Sequence, residues 1–264
     1  MALNPSQLLR HKPLSTKWPE GVGRIVLPSV DSTNAEAIRQ APTLSGPTWI
    51  LGLEQTKGRA RRGRGWVDPK GNFSATLALR PDGKPGDVAL YSFVAALALY
   101  DACVAATGRA DAFALKWPND VLLNGGKLAG ILLESAGIAG QSGLMHLAVG
   151  IGVNLADVPL VDGLEKRAVR PVSLQEAGAH MAPETFLDLL APAFAQWEHR
   201  LKTYGFGPLR EGFLARAARL GDVITARTGT AEITGTFETI DEAGSLVLKT
   251  TAGRQVIAAA DIFF

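Results

Sequence analysis

Five cations fall within eight residues of the stretch KGRARRGRGW (residues 57–66): Lys57, Arg59, Arg61, Arg62 and Arg64, with no acid among them. Guanidinium groups are planar forks that match carboxylate and phosphate oxygens, and Gly58, Gly63 and Gly65 let the backbone bend and come close to a ligand. The chemistry that fits is anion binding. The chain as a whole does not share the bias, since 27 Lys and Arg stand against 25 Asp and Glu, a formal net charge of +2 over 264 residues. A nucleic-acid binder spreads its basic residues over a face and shows them in the net charge, so one basic segment on a near-neutral chain suits a small, multiply charged ligand. Gly58 and Gly63 mimic the start of a P-loop, but Arg64-Gly65 follow where Lys and Ser or Thr are needed. Like charges and three glycines oppose a single conformation, so the segment is expected to be mobile when empty and to order over an anion. The plainer reading, a solvated basic loop, must also account for Trp66 and the strand-like runs on either side.

Other chemistries find less support. The four histidines (His11, His146, His180, His199) and the single Cys103 share no zinc-ligand spacing. Cys103 lies in an apolar helical run and is expected in the core. No G-x-S-x-G elbow occurs. A lone cysteine forms no intramolecular disulfide and suits a reducing cytoplasm, and the first residues, MALNPSQLLRHKPLSTKWPEG, hold no apolar signal-peptide core. Residues 88–108 approach membrane-spanning length, yet Asp101, Ser92 and two tyrosines point to a buried helix and no membrane span.

The elements that must position the basic segment alternate between apolar β-rich runs and helical patterns. Strands are expected over residues 24–28, 48–55, 73–79 and 144–155, and helices from residue 32 and over 88–107. Residues 114–117 lead into a hairpin whose turn is Asn124-Gly125-Gly126, set between two apolar runs. Two more helical segments are expected near residues 173–180 and 183–204, the second carrying Pro192. From Arg219 the pattern becomes short alternating strands with Gly and Asp turns. The expected fold class is α/β (α+β), a mixed-sheet body over residues 1–217 with a small all-β module over 218–264.

Four motifs in order, DSTNAEA (residues 31–37), GRARRGRGW (58–66), KWPNDVLLNGGKLAGILLE (116–134) and VGIGVNL (149–155), resemble those of the biotin protein ligases, also called biotin–[acetyl-CoA-carboxylase] ligases. The likeness covers residues 24–155 and the terminal β-module. One departure is Ala60, where the family's loop usually has Gly. The resemblance implies a catalytic sheet like those of class II synthetases and lipoate ligases, followed by an SH3-like barrel. It also implies a two-step acyl transfer: biotin and Mg²⁺-ATP give biotinyl-5′-adenylate and pyrophosphate, and a lysine of a biotin carboxyl carrier protein then takes the acyl group.

Roles carried over from the family fall on particular residues. Ser32, Thr33 and Asn34 match positions that hydrogen-bond the ureido ring, while Thr33-x-x-Glu36 also reads as a helix capping box. Gln55, Gly58, Arg59, Ala60, Arg61 and Gly130 match further biotin contacts. Arg62 and Arg64 would take the phosphates, with Trp66, Asn119 and Asn154 near the nucleotide. Lys127 matches the active-site lysine and Asp120 lies near the incoming amine, although Pro118-Asn119-Asp120 is also good turn chemistry. Trp66 is equally an ordinary core residue, and Gly130, Gly150 and Gly152 are either close-approach positions or simple bulges. The sequence does not identify which residues would hold the Mg²⁺ that accompanies ATP. Only residues 1–23 precede the first expected strand, too few for the helix-turn-helix of the repressor-type members, so a cytoplasmic ligase that does not bind nucleic acid is expected. A homodimer stays open. The rivals are a lipoate-protein ligase of the same fold and a nucleic-acid-binding regulator that uses the basic loop.

Overall fold

The computed structural model describes residues 17–81, 85–137, 146–158 and 169–264. Residues 1–16, on which part of the signal-peptide reading rests, and residues 144 and 145 of an expected strand lie outside the described residues. The strands of the body are β1 (Gly23–Leu27), β2 (Thr48–Gly52), β3 (Phe73–Leu79), β4 (Phe113–Lys116), β5 (Asp120–Leu123), β6 (Gly126–Ala136) and β7 (His146–Val153). They form one sheet in the order β1-β2-β3-β7-β6-β5-β4. β1 and β2 pair in parallel and every other neighbour is antiparallel, so the sheet is mixed, as expected. The parallel pair needs a crossover, which helix α1 (Thr33–Gln40) supplies.

Period-2 alternation decides what each face of this sheet does. In β3, Phe73, Ala75, Leu77 and Leu79 join the main hydrophobic core, and the alternate residues Ser74, Thr76 and Ala78 face α1. In β7, Leu147, Val149, Ile151 and Val153 face the core, and the other row reads His146, Ala148, Gly150, Gly152. Register lines up Ser74 with Gly152 and Thr76 with Gly150, and in turn Gly152 with Gly130 on β6. One face is therefore packed with large side chains. The other carries small and polar residues, which leaves room.

The packed face is covered by α2 (Tyr91–Thr107), α3 (Pro183–Tyr204) and α4 (Gly207–Leu214). Within the apolar run Asp87–Thr107, an 18-residue window has a mean hydropathy of 1.8, and 72% of that window is buried within the fold. It is the core helix read from the sequence: apolar all round because protein surrounds it. Cys103 is fully buried there, and burial pushes its thiol pKa up. Gly108, at φ 72°, takes the left-handed conformation that ends the helix.

Some expected elements change. The helix expected near residues 173–180 is a single turn, Leu174–Ala177, because Gly178 at φ 83° stops it at once. The capping box read at Thr33 does not form: Ser32 is the N-cap and accepts from the Ala35 backbone N–H, and an alanine at that third position has no side chain to reach back. Glu36 pairs with Arg39 and Gln40, and Thr33 turns inward. Helix α4 is an addition that the sequence did not announce.

The C-terminal strands are β8 (Val223–Arg227), β9 (Glu232–Ile240), β10 (Leu246–Thr250), β11 (Gly253–Ile257) and β12 (Asp261–Phe263). They form an antiparallel sheet in the order β11-β10-β9-β8-β12, which bears out the expected all-β module; among the described residues the sheet does not close into the expected SH3-like barrel, because its end strands β11 and β12 do not pair. The sheet docks on the body. Trp117 Nε1 donates to the Gly244 carbonyl at 3.0 Å, Arg210 donates to Ile240 and Thr239, and Phe237, Ile240 and Leu248 belong to the same hydrophobic cluster as α2.

A shared core predicts shared unfolding. Phe237→Ala should lower stability by roughly 3–5 kcal/mol, the usual cost of emptying a buried phenylalanine site. Urea unfolding followed by tryptophan fluorescence should stay a single transition shifted to lower urea; two separate transitions would show that the sheets unfold independently.

Candidate active site

A cavity of about 400 Å³ opens on the roomy face of the sheet, between α1, the 57–66 segment and β12. Its lining includes Ser32, Thr33, Asn34, Gln55, Arg59, Ala60, Arg61, Arg64, Trp66, Asn119, Asp120, Lys127, Gly130 and Asn154. Gly58 and Arg62 are placed in the loop beside it. The sequence-predicted residues, spread over more than a hundred positions, thus converge on one space.

The closed end is a chain of polar contacts. The Thr33 backbone N–H donates to Gln55 Oε1 at 2.9 Å, and its hydroxyl lies 3.2 Å from the same oxygen. The Gln55 Nε2 donates to the Ser74 hydroxyl at 3.3 Å. The Thr76 hydroxyl donates to Asn34 Oδ1 at 2.6 Å, and Asn34 Nδ2 donates to Glu134 at 2.7 Å. Ser32, Thr33, Asn34, Ser74 and Thr76 are all buried. Buried polar groups cost free energy when unpaired, so these side chains hold one another in fixed orientations. Arg59 reaches this end too: its Nε donates to Ser32 Oγ at 3.3 Å and its Nη2 lies 3.2 Å from Glu134.

Glycines shape the wall. A Cβ on Gly150 would sit 2.1 Å from Asn34 Oδ1, and one on Gly152 would sit 2.6 Å from the Trp66 indole, which also lies 3.2 Å from a Cβ position on Gly130. These are close-approach positions, not bulges. Trp66 lies flat against the sheet because side chains are missing beneath it. A Cβ on Gly58 would collide with the Trp66 carbonyl and the Gln55 amide.

At the middle stands Lys127. The Asn124-Gly125 turn, with both residues at positive φ (48° and 81°), closes the hairpin just before it. Its ammonium lies 2.8 Å from Asp120 Oδ1 and 5.9 Å above the Trp66 ring. Lys116, across the β4–β5 pair, lies 3.9 Å from the other Asp120 oxygen, and burial pushes its pKa down while Asp120 opposes the shift. Asn119 Nδ2 donates to the Ile131 carbonyl at 2.8 Å and its Oδ1 accepts from Arg61 at 3.0 Å. Asn154 is placed differently from the other polar residues: Nδ2 donates to Val172 at 3.1 Å and lies 3.5 Å from the Lys127 carbonyl, so it braces the strand that carries the lysine.

The basic segment is ordered by an acid that the sequence reading did not single out. Arg62 turns the chain at φ 58° and Gly63 at φ 72°, and Asp261 on β12 receives the result. Its carboxylate lies 2.9 Å from Arg62, 3.5 Å from Arg64, 3.9 Å from Arg61 and 3.6 Å from Arg227. Arg61 also donates to the Ala260 carbonyl at 3.3 Å. Burial pushes the Arg61 pKa down and Asp261 pulls it back. The mobility expected of the empty loop is thus countered within the chain, by a carboxylate that shares four cations. Asp261, Lys116, Glu134, Ser74 and Thr76 were all missed by sequence reasoning, and only the alternation of β3 could have flagged the last two.

Chemically, the cavity can hold a molecule with a polar head at its closed end and a multiply charged anion at the other, with an ammonium between. Among the described residues no three of His, Cys, Asp and Glu converge on a metal position.

Comparison with known proteins fits this shape. Residues 26–154 match the biotin/lipoate A/B protein ligase family, and residues 220–264 match the biotin protein ligase C terminal domain. The chain is 60% identical over 240 residues to a biotin–[acetyl-CoA-carboxylase] ligase of Paracoccus denitrificans, across 90% of this chain and 99% of the relative. It is 30% identical over 252 residues to the bifunctional ligase/repressor BirA of Escherichia coli, across 93% of this chain and 74% of that one. The fold superposes on a biotin protein ligase from Aquifex aeolicus solved in complex with biotin and ATP, with a TM-score of 0.77 at 25% identity, covering 91% of this chain and 98% of that one.

The role of Asp261 is open to a direct check. Asp261→Ala should leave Arg227 and the three arginines of the loop without their shared counter-ion and speed tryptic cleavage within residues 57–66 several-fold, and millimolar pyrophosphate should slow it again. Equal cleavage of variant and parent would mean that the loop is held by other contacts.

Proposed function

The chain belongs to the biotin protein ligases and joins biotin to protein with ATP, and we propose that the residues lining its cavity divide that work between a ring-binding end and a phosphate-binding end. The observation that carries this division is the position of Lys127, between the buried polar chain around Thr33 and Gln55 and the arginines gathered at Asp261.

In the first step a biotin carboxylate oxygen attacks the α-phosphorus of ATP, the bond to the leaving pyrophosphate breaks, and biotinyl-5′-AMP forms. Two anions must approach each other, so the barrier is largely electrostatic. Lys127 stands where the carboxylate and α-phosphate meet and neutralises the charge that builds there. Asp120 holds its ammonium in place while the site is empty. Arg61, Arg62 and Arg64 exchange Asp261 for phosphate oxygens. ATP would arrive as its Mg²⁺ complex; Asp120 and Asp261, carboxylates that line the cavity, would hold the ion, which would offset phosphate charge. In the second step the amine of a lysine on a biotin carboxyl carrier protein attacks the acyl carbon, AMP leaves, and the nitrogen loses a proton toward Asp120.

The closed end favours biotin over lipoate. A cyclic urea offers one acceptor and two donors to Ser32, Thr33, Asn34 and Gln55, whereas a dithiolane offers none and would leave buried polar groups unpaired, at about 1–3 kcal/mol each.

Biotin-dependent ATP–pyrophosphate exchange tests the assignment. Lys127→Ala should slow exchange by about 10²–10³-fold with biotin binding still measurable, because the lysine acts on charge that develops in the transition state. Equal losses in binding and rate would make it a ground-state contact. Arg61→Gly should loosen the closed loop and release the activated acyl group, seen as biotin on lysines of unrelated proteins added to the reaction. Labelling confined to the carrier would show that the intermediate is retained without Arg61.

A further inference from the structure

Two acids hold the basic segment, at different places. Asp261 takes the arginines at its turn, and Glu134, on β6, takes Arg59 at its stem. The stem is the short antiparallel pairing of Arg59 with Gly65, and from it the Arg59 side chain crosses the N-terminus of α1: Nε donates to Ser32 Oγ at 3.3 Å and Nη2 lies 3.2 Å from Glu134 Oε2. The same carboxylate oxygen accepts from Asn34 Nδ2 at 2.7 Å. One atom therefore joins the loop to the polar end of the cavity. Register brings it there: Gly130, Leu132 and Glu134 alternate along β6 on the face toward α1, opposite Gly152, Gly150 and Ala148 of β7, whose small size leaves the glutamate room to reach the helix. The Asn34 amide is committed at three of its four hydrogen-bonding positions. Nδ2 gives its hydrogens to Glu134 and to the Leu132 carbonyl at 3.3 Å, and Oδ1 accepts from the Thr76 hydroxyl at 2.6 Å. A carbonyl only accepts, so Leu132 fixes which way the amide faces whatever the charge on Glu134. What remains, among the described residues, is the second lone pair of Oδ1 on a residue of the cavity wall, an acceptor for an N–H of a ligand.

We propose that Glu134 is a positioning residue for biotin: its carboxylate holds the Asn34 amide at the ring site, with an acceptor left for a ureido N–H, and ties the stem of the basic segment to that same amide. The proposal rests on the reading of the closed end as the place of the biotin ring. Glu134 is not among the residues that line the cavity, and it acts through Asn34, Arg59 and Ser32, which are. Its two contacts differ in strength for a physical reason. Asn34 is buried, where a short bond to a carboxylate is strong. The Arg59 pair has side chains 42% and 27% exposed, and solvent weakens it.

Exchange kinetics with biotin varied, and then ATP varied, separate this from a general weakening of the fold. Glu134→Ala should raise the biotin KM about tenfold, the scale of one lost charge-assisted hydrogen bond, with kcat and the ATP KM within about twofold of the parent. Glu134→Gln keeps an oxygen for Asn34 and loses only the ion pair, so its biotin KM should stay within about threefold of the parent, the scale of an exposed pair. That remaining loss should vanish when Arg59 is already absent: Arg59→Ala with Glu134→Gln should be no worse than Arg59→Ala alone, the signature of a shared contact. The proposal is overturned if those two changes multiply, if Glu134→Gln is as impaired as Glu134→Ala, if kcat and the ATP KM move with the biotin KM, or if Glu134→Ala lowers the Tm and leaves the biotin KM unchanged. Should Glu134→Ala fail to fold, Glu134→Gln and its cycle with Arg59→Ala decide the matter. A parent enzyme with no biotin-dependent exchange would remove the ligase reading itself, whereas an active parent whose variants break this pattern removes Glu134 alone.

Discussion

Positive charge cannot be concentrated beside a cavity without something to answer it. Two like charges about 4 Å apart repel by about 4 kcal/mol at the effective dielectric of a protein surface, and residues 57–66 carry five. Asp261 supplies the answer: its carboxylate, with only 13% of the side chain exposed, faces Arg61, Arg62, Arg64 and Arg227 at 2.9–3.9 Å. That one acid ties the loop to β12, where Asp261 stands opposite Arg227 on β8, and so gives the loop a definite path against a sheet that the shared core already holds in place. It also sets the terms of ligand binding. Phosphate oxygens offer the arginines more acceptors than one carboxylate can, so in the proposed division of the cavity a nucleotide would compete with Asp261 for groups already gathered beside it.

The rest of the site is made as much by omission as by contact. On the face of the sheet toward α1, β7 presents Gly150 and Gly152 and β6 presents Gly130, and the Trp66 indole and the Asn34 amide lie where side chains would otherwise be. The opposite face of the same strands is filled with Leu, Val, Ile and Phe against α2 and α3. Period-2 alternation therefore produces a rigid wall and an open one from a single run of residues. A rigid wall matters for group transfer, because small misplacements of reacting atoms cost large factors in rate.

Electrostatics divides the cavity into two halves with different physics. At the closed end, neutral groups such as Thr33, Asn34, Gln55, Ser74 and Thr76 pair with one another at 2.6–3.3 Å and select by donor and acceptor pattern. At the open end, charged groups select by sign and number of charges. Lys127, held at 2.8 Å by Asp120, stands at the border. A molecule that satisfied both halves would carry a neutral polar group at one end and a multiply charged anion at the other, as the proposed acyl-adenylate does.

Local chemistry in the sequence determined the strands, the long apolar helix, the Asn124-Gly125 turn and the basic segment, because composition, alternation and turn residues act over a few positions and leave their mark there. The motifs also named most of the pocket, Lys127 and Asp120 included. Tertiary structure alone decided the partners. Arg62 meets Asp261 across 199 positions, Asn34 meets Glu134 across 100, and Thr33 meets Gln55 across 22. An isolated Asp in a short terminal strand has no pattern that separates it from a solvated one. Its role comes from a distance in space, set by how two sheets pack through a shared core, and no window of sequence contains that distance.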